Sequence, residues 1–261
     1  MAGLFNGRKA LITGGSGGIG FAIAQALAAE GCSLTLVGRD SNKLDAAKEA
    51  LLRERPSDAA GKPLDVELVA LDLSDPQQAL RLGHEHADTD ILVNCAGAVG
   101  RGGLTDIDPT SFINSFNGKV MSAIMLTHAI YPHMCSRKHG VVVNIIGIAG
   151  EKLNPRSIGT TTANAALIAF TKALGAESVD HGVRVVGVNP GLIRTERTAS
   201  MLDPTAHKDQ AAYAALLKNL PYGRMGEPAE IADAVMFLAS DRASYISGEV
   251  LSVDAGSRFR G

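Results

Sequence analysis

The chain has 261 residues, and 46% of them are hydrophobic, which predicts one domain with a large core. Its net charge of −2 and isoelectric point near 6.4 leave no basic excess of the kind that binds nucleic acid or an anionic membrane. The three cysteines form no C-x-x-C pair, which favours free thiols in a reducing cytoplasm. We expect no signal peptide, and the helical stretch 120–136 is too polar for a membrane span.

The first half of the chain alternates strand and helix patterns. A short apolar run predicts a strand at 8–13, and an amphipathic pattern after a glycine-rich turn predicts a helix at 18–30. The same reasoning predicts strand 33–37, helix 41–54, strand 66–71, helix 75–86 and strand 90–94. The charged, proline-containing connection 53–63 is expected to be a surface loop.

The second half continues the alternation. Its predicted elements are helix 109–137, strand 140–146, helix 157–179, strand 183–189, an irregular lobe at 195–221, helix 228–239 and strand 249–253. Strict alternation implies parallel strands joined by right-handed crossovers. We therefore predict an α/β fold, a Rossmann-type doubly wound parallel sheet with helices on both faces, as one domain over 1–261.

The turn after the first strand reads Gly-Gly-Ser-Gly-Gly-Ile-Gly from Gly14 to Gly20. Glycines let the backbone approach a pyrophosphate closely, and a helix N-terminus offers free N–H donors. A glycine triplet alone is a weak signal, and a plain loop is the alternative. The flanking strand and helix favour a dinucleotide site.

Three motifs at fixed separations extend this signal along the chain. They are Thr13-Gly-x-x-x-Gly-x-Gly, Asn94-x-Ala-Gly97 and Pro190-Gly191. Together they resemble the short-chain dehydrogenase/reductase family over residues 8–256. The resemblance implies a nicotinamide dinucleotide cofactor bound by Gly14, Ser16, Gly17, Gly18, Ile19, Gly20, Arg39, Asp72, Leu73, Asn94, Ala96, Gly97, Asn164, Pro190, Gly191, Ile193 and Thr195.

The end of the second strand indicates which cofactor is preferred. A carboxylate there would accept from the ribose 2′-hydroxyl of NAD and repel a 2′-phosphate, but the chain has Gly38 followed by Arg39. Arg39 is a permanent planar cation suited to phosphate, which favours NADP(H), with NAD(H) as a possible second cofactor. Gly17 stands where phosphate-preferring relatives often carry a second basic residue. A solvated surface arginine is the alternative interpretation of Arg39.

The family's catalytic residues are replaced in this chain. The segment Asn144-Ile-Ile-Gly147 places Gly147 at the serine position, and the usual interval of thirteen leads to Thr160 at the tyrosine position. Asn164, four residues further, stands at the lysine position, and Asn117 stands at the asparagine of the family's water relay. A shifted alignment cannot restore the pair, because no tyrosine lies between 132 and 212.

If the chain turns over a substrate, proton delivery must differ from the family's, and weak activity would not require a substitute donor. A threonine hydroxyl is a very weak acid, and the neutral Asn164 cannot lower a pKa by charge, although it could hydrogen-bond the ribose. Positioning the nicotinamide against the substrate supplies much of the reduction in the barrier to hydride transfer. The absence of a general acid lowers the rate by about 10²–10⁴-fold. Glu151 is a candidate donor if it is buried beside the nicotinamide; an exposed glutamate is the alternative. Tyr213 and Tyr222 are further candidates, with packing as their alternative role.

Two functions stay open at this point. The first is an NADP(H)-dependent oxidoreductase acting on a carbonyl, alcohol or activated double bond of a small, apolar substrate, with 195–221 as its lid. The second is an NADP(H)-binding sensor or partner subunit without turnover. We expect no metal site, because His84-Glu-His86 has no third ligand nearby.

The family resemblance also implies a homo-oligomer, a dimer or tetramer. Members pair the helices predicted here at 109–137 and 157–179 across a two-fold axis. On the second helix, an apolar stripe at helical spacing would form the contact, made of Ala163, Ala166, Phe170 and Ala173.

Overall fold

The computed structural model describes residues 3–55, 57, 61, 63–97, 99–100, 102–199, 214 and 217–260. Within those ranges, seven strands form one parallel sheet in the order β3-β2-β1-β4-β5-β6-β7. They are β1 (Lys9–Thr13), β2 (Ser33–Gly38), β3 (Val66–Ala70), β4 (Ile91–Asn94), β5 (Gly140–Ile145), β6 (Val183–Pro190) and β7 (Val250–Val253). The predicted Rossmann-type fold is confirmed.

Helices connect the strands and cover both faces of the sheet. They are α1 (Gly18–Ala29), α2 (Ser41–Glu54), α3 (Pro76–Glu85), α4 (Pro109–Phe116), α5 (Ser122–Arg137), α6 (Ile158–Ser178), α7 (Glu196–Ala199) and α8 (Pro228–Ala239). One face packs α1, α2 and α8 against the sheet, and the other packs α3, α5 and α6. The central strands β4 and β5 are buried along their whole length, as strands covered on both faces must be.

The predicted helix 109–137 is interrupted by a wider turn. Residues Asn117–Met121 form a π-helical segment between α4 and α5. The Ser122 hydroxyl donates to the Gly118 carbonyl oxygen over 2.9 Å beside this turn. Segments of this kind insert one extra residue into a helix and often occur at functional sites.

The order of the strands reverses between β1 and β4, where the chain crosses from one half of the sheet to the other. Ligands of doubly wound sheets bind outside the carboxyl ends of the strands at this point. The turns after β1, β4, β5 and β6 all lie at that edge.

The predicted stripe on α6 is wrong in one position. Ala163 is fully buried in the core of its own chain, so it is not available to a partner. Ala166 and Phe170 are partly buried against the same core, and Ala173 is exposed. The reason is that a stripe at helical spacing fits an internal core as well as an interface.

Candidate active site

The glycine-rich turn leads into the N-terminus of α1 without a side-chain cap. Gly17 is the N-cap and makes no side-chain hydrogen bond, so the first N–H groups of α1 have no capping partner. Gly14 and Gly18 have φ angles of +69° and +52°, which favour glycine. A Cβ on Gly20 would lie 2.2 Å from the Gly14 carbonyl oxygen. This geometry fits a pyrophosphate cradle.

Thr13 joins the ends of β1 and β4. Its hydroxyl oxygen accepts from the backbone N–H groups of Cys95 and Ala96, both over 2.9 Å. The chain turns sharply at Gly97, whose φ is +92°. This contact sets the Asn-x-Ala-Gly motif beside the glycine turn. Sequence reasoning used Thr13 only as part of a motif and missed the role of its side chain.

Arg39 and Ser16 lie on either side of Gly38. Arg39 is exposed, and within the described ranges its guanidinium forms no ion pair or hydrogen bond. A Cβ on Gly38 would lie 3.1 Å from the Ser16 hydroxyl oxygen, so no side chain separates the two groups. A cation and a hydroxyl therefore border one open position at the end of β2.

The chain leaves β6 at Pro190 and returns to the glycine turn. A Cβ on Gly18 would lie 3.2 Å from the Thr195 methyl carbon. Next to this contact, Lys43 of α2 donates to the Glu196 carboxylate over 2.9 Å. The base of the predicted lid is thus held against the start of α1 and against α2. Most of that lid, with Tyr213, lies outside the described residues.

All the predicted cofactor residues lie at this edge of the sheet or on the helix beside it. They come from the glycine turn (Gly14, Ser16, Gly17, Gly18, Ile19, Gly20), from the ends of β2 to β4 (Arg39, Asp72, Leu73, Asn94, Ala96, Gly97), from α6 (Asn164) and from the loop after β6 (Pro190, Gly191, Ile193, Thr195). The Leu73 side chain differs from the rest, because it is buried in the core between the sheet and α3.

A buried amide network holds β4 and β5 to the helices behind them. The Asn94 side chain donates to the Asn144 side-chain oxygen over 2.9 Å, in register across the two strands. Asn144 in turn donates to the Thr171 hydroxyl over 2.9 Å. Thr127 of α5 lies 3.4 Å from the Asn94 amide nitrogen. These hydrogen bonds link the ends of β4 and β5 to α5 and α6, although the buried side-chain oxygen of Asn94 has no partner among the described residues.

Gly147 and Asn164, the residues predicted to stand at the family's serine and lysine positions, contact each other directly. The Asn164 amide donates to the Gly147 carbonyl oxygen over 3.1 Å, and Asn189 accepts from the Gly147 N–H over 3.3 Å. Gly147 has a φ of +117°. Asn164 is 2% exposed, and within the described ranges its side-chain oxygen has no hydrogen-bond partner. A buried acceptor without a partner is costly and fits a ligand donor.

The Thr160 hydroxyl has a partner of its own. It donates to the Val99 carbonyl oxygen over 3.0 Å. Its single proton is therefore used in a structural hydrogen bond at the start of α6. Asn117, the predicted relay residue, begins the π-helical segment, and its side chain makes no hydrogen bond with the residues described.

Glu151 does not lie in the buried setting that a proton donor would need. Its carboxylate accepts from the Arg258 guanidinium over 2.7 Å, which ties the loop after β5 to the C-terminal segment. Tyr222 is 85% exposed with a φ of +55°, so it does not pack over the site in this conformation.

Lys119 is a site residue that sequence reasoning missed. Its ammonium donates to the Ile146 carbonyl oxygen over 2.9 Å, one residue before Gly147. Burial lowers the pKa of Lys119 to about 8; nearby Arg197 lowers it further, whereas Cys95 opposes the shift. The sequence carries little signal for it, because the π-helical segment between Lys119 and the buried Ala123 breaks the α-helical spacing from which its side could be read.

Comparison with known proteins agrees with this architecture. A family model described as enoyl-(acyl carrier protein) reductase matches residues 14–258. The 3-oxoacyl-(acyl-carrier-protein) reductase FabG of Chlamydia trachomatis is 33% identical, with 98% of this chain and 99% of that protein covered. FabG of Escherichia coli is 35% identical, with 97% and 98% covered.

A solved structure extends the comparison to a bound cofactor. L-sorbose reductase from Gluconobacter frateurii, complexed with NADPH and L-sorbose, superposes with a TM-score of 0.85 at 28% identity, covering 99% of each chain. The chain therefore belongs to the short-chain dehydrogenase/reductase family of oxidoreductases.

Two further kinds of feature do not occur among the described residues. No group of three or more His, Cys, Asp or Glu side chains there comes together as a metal site. No helix in the same ranges is long and apolar enough to cross a membrane.

Proposed function

We propose that this protein is an NADP(H)-dependent oxidoreductase that interconverts a carbonyl and an alcohol on a small molecule, without a tyrosine as proton donor. The observation that carries the proposal is a cofactor cradle, ending at the unpartnered side-chain oxygen of Asn164, in a chain that belongs to a family of oxidoreductases. A chain that had lost cofactor binding would not need to keep this buried acceptor, which costs about 1–3 kcal/mol when unsatisfied.

Each part of the cradle would hold one part of the cofactor. The backbone N–H groups at Gly18, Ile19 and Gly20 would bind the pyrophosphate at the positive end of α1. Arg39 and the Ser16 hydroxyl would bind the 2′-phosphate, since Gly38 offers no opposing charge. This supports NADP(H) over NAD(H).

The nicotinamide end would lie over the ends of β4 to β6. There the Asn164 oxygen would accept a hydrogen bond from a ribose hydroxyl, in place of the family's lysine. When bound, the reduced cofactor supplies the hydride. The buried amide network behind this position keeps its backbone fixed, and a fixed site is what hydride transfer requires.

An apolar cavity supports a small, apolar substrate and a lid at 195–221. It adjoins the loop after β6 on the side of β7 and is lined in part by Leu192, Ile193, Leu220, Pro221 and Val253. A mostly apolar wall with a few polar groups is typical of small-molecule sites.

A cytoplasmic location of the protein also remains a prediction.

A second candidate function has its own observation. Thr160 uses its proton on Val99, and Asn164 closes over Gly147, so neither supplies an acid. An NADP(H)-binding sensor or partner subunit without turnover would have this arrangement as well.

Single-turnover oxidation of bound NADPH, followed by absorbance against ketones, quinones and enones, separates the two functions. Gly17→Glu is the control, because a Cβ at Gly17 meets nothing within 4 Å and its φ of −174° suits any residue. The added carboxylate would repel the cofactor phosphates without disturbing the fold. Substrate-dependent oxidation lost in this variant supports the oxidoreductase; NADPH binding without oxidation by any compound supports the binding protein.

A further inference from the structure

Lys119 lies where three parts of the candidate site meet. Its backbone packs against Gly97 after β4, where an added Cβ would lie 2.7 Å from the Lys119 Cα and Cβ atoms. Its ammonium reaches the Ile146 carbonyl oxygen after β5, directly before Gly147. The Lys119 side chain therefore spans the carboxyl ends of the two central strands, next to the positions that the family uses for chemistry.

The π-helical segment Asn117–Met121 places Lys119 there. The segment widens one turn of the helix and shifts the side chains that follow it. Val120 beside it is buried in the core, which anchors the segment to the domain. A lysine at this position is thus held by packed backbone and not by a mobile loop.

The ammonium retains hydrogen-bonding capacity for a ligand. A lysine ammonium has three N–H donors, and the Ile146 oxygen takes one of them. The charged and titratable groups that face it are Cys95 from the end of β4 and Arg197 from α7. Within the described ranges, no carboxylate forms an ion pair with Lys119. A structural salt bridge therefore does not explain why a charged side chain lies at this position.

Burial brings the pKa of the Lys119 ammonium close to neutral pH, where a proton donor works. Desolvation lowers the pKa of Lys119 to about 8 from an ordinary value of 10.5. A general acid works best when its pKa lies near the working pH. An ordinary lysine would hold its proton too tightly for this role.

We infer that Lys119 is the proton donor of the site, an inference that rests on the proposed oxidoreductase function. During reduction, the carbonyl carbon gains the hydride of the reduced nicotinamide, and the π electron pair moves onto the oxygen. That oxygen takes one proton from the Lys119 ammonium and becomes a hydroxyl. The neutral amine then regains a proton from water, and the oxidised cofactor leaves.

Two variants and one control test this step in single-turnover experiments. Lys119→Met removes the proton and should slow NADPH oxidation by about 10²–10⁴-fold while NADPH affinity is kept. Lys119→Arg keeps the charge but holds its proton too tightly to give it up, and should be slow as well. Lys172→Met, on the exposed side of α6, is the matched control and should leave the rate unchanged.

In the parent, the rate of reduction should fall as the pH rises through about 8.

A second readout does not depend on turnover. In protein labelled with 13C at the lysine ε-carbon, the resonance that Lys119→Met removes should titrate with a midpoint near 8. Addition of NADP⁺ should move that midpoint, because a cationic ring would then lie beside the ammonium. A midpoint near the ordinary lysine value, unchanged by NADP⁺, overturns the inference.

The outcomes also distinguish a failure of the Lys119 inference from a failure of the proposed oxidoreductase function. Turnover that Lys119→Met retains at the full rate overturns the role of Lys119 and leaves the oxidoreductase intact. A full rate in Lys119→Arg overturns proton transfer in favour of a purely electrostatic effect. No turnover in any form overturns the oxidoreductase and the proton-transfer step together.

Discussion

The Asn164 side-chain amide lies 3.1 Å from the Gly147 carbonyl oxygen and 3.0 Å from the point where a Cβ on residue 147 would stand. The two residues predicted to replace the family's serine and lysine are thus in direct contact in this chain. Restoring a serine at 147 would require both a new backbone angle and movement of Asn164. If the predicted alignment holds, installing the family's serine at 147 would disturb the present backbone as well as add a hydroxyl.

Gly147→Ser should destabilise the protein by about 1–3 kcal/mol, the cost of a side chain in a region reserved for glycine. The φ of +117° is the physical reason, and the contact with the Asn164 amide adds to it. Urea unfolding measures the change. Gly100→Ala is the control, since a Cβ there meets nothing within 4 Å. Equal stability of Gly147→Ser and the parent would show that position 147 accepts a side chain without strain.

The coupling itself can be measured by a double-mutant cycle. Asn164→Ala removes the amide that a side chain at 147 would meet. The cost of Gly147→Ser should be smaller in that background, because only the backbone term remains. Additive costs would mean that the two positions do not interact.

Arg39→Ala should weaken NADPH binding by about 1.5–3 kcal/mol, the range of a charged hydrogen bond, and leave NADH binding almost unchanged. The reason is that Arg39 and Ser16 border the open position beside Gly38. Fluorescence titration with both nucleotides measures this, with Arg53→Ala on the exposed side of α2 as control. Identical titration curves for NADPH and NADH in the parent would refute the preference.

Ala173→Arg should convert a homo-oligomer into a monomer. Ala173 is exposed, and it continues the partly buried stripe of Ala166 and Phe170 on α6. A charge there is harmless in solvent but disrupts a packed interface. Light scattering at micromolar concentration measures the mass, and Ala46→Arg on α2 serves as control. A parent protein that is already monomeric would contradict the predicted assembly.

The free energy of unfolding should depend on pH through Lys119. Its pKa is about 8 in the folded chain and near 10.5 when unfolded, so the unfolded chain binds more protons between these values. The parent should therefore gain stability relative to Lys119→Met as the pH rises from 8 to 10.5, and the difference should be constant below 8. Denaturant unfolding across that range measures the slope. A constant difference from pH 7 to 11 would show that the lysine is not desolvated.

Glu151→Gln should change the rate of any turnover by less than about tenfold, because loss of a general acid would cost 10²–10⁴-fold. The Glu151 carboxylate pairs with Arg258, and that pair is a structural link to the C-terminal segment. Steady-state kinetics measure the rate. Complete loss of turnover, with NADPH affinity intact, would return Glu151 to the role of proton donor.

Local patterns in the sequence were enough to predict the fold and to bring the candidate cofactor residues to one edge of the sheet. Alternating apolar runs and amphipathic helices predict the parallel sheet, because each element must bury one side against its neighbours. The glycine turn and the motifs at Asn94 and Pro190 follow strands, and parallel strands end at one edge. These features depend on short-range periodicity, which a single sequence displays directly.

The tertiary structure decided which polar groups meet. Only the folded chain shows that Thr160 donates to Val99, that Glu151 pairs with Arg258, and that a π-helical turn carries Lys119 to the end of β5. Each contact joins residues more than twenty positions apart, and its energy depends on burial and on distances of a few ångströms. Such distances arise from packing, which the order of residues along the chain does not display.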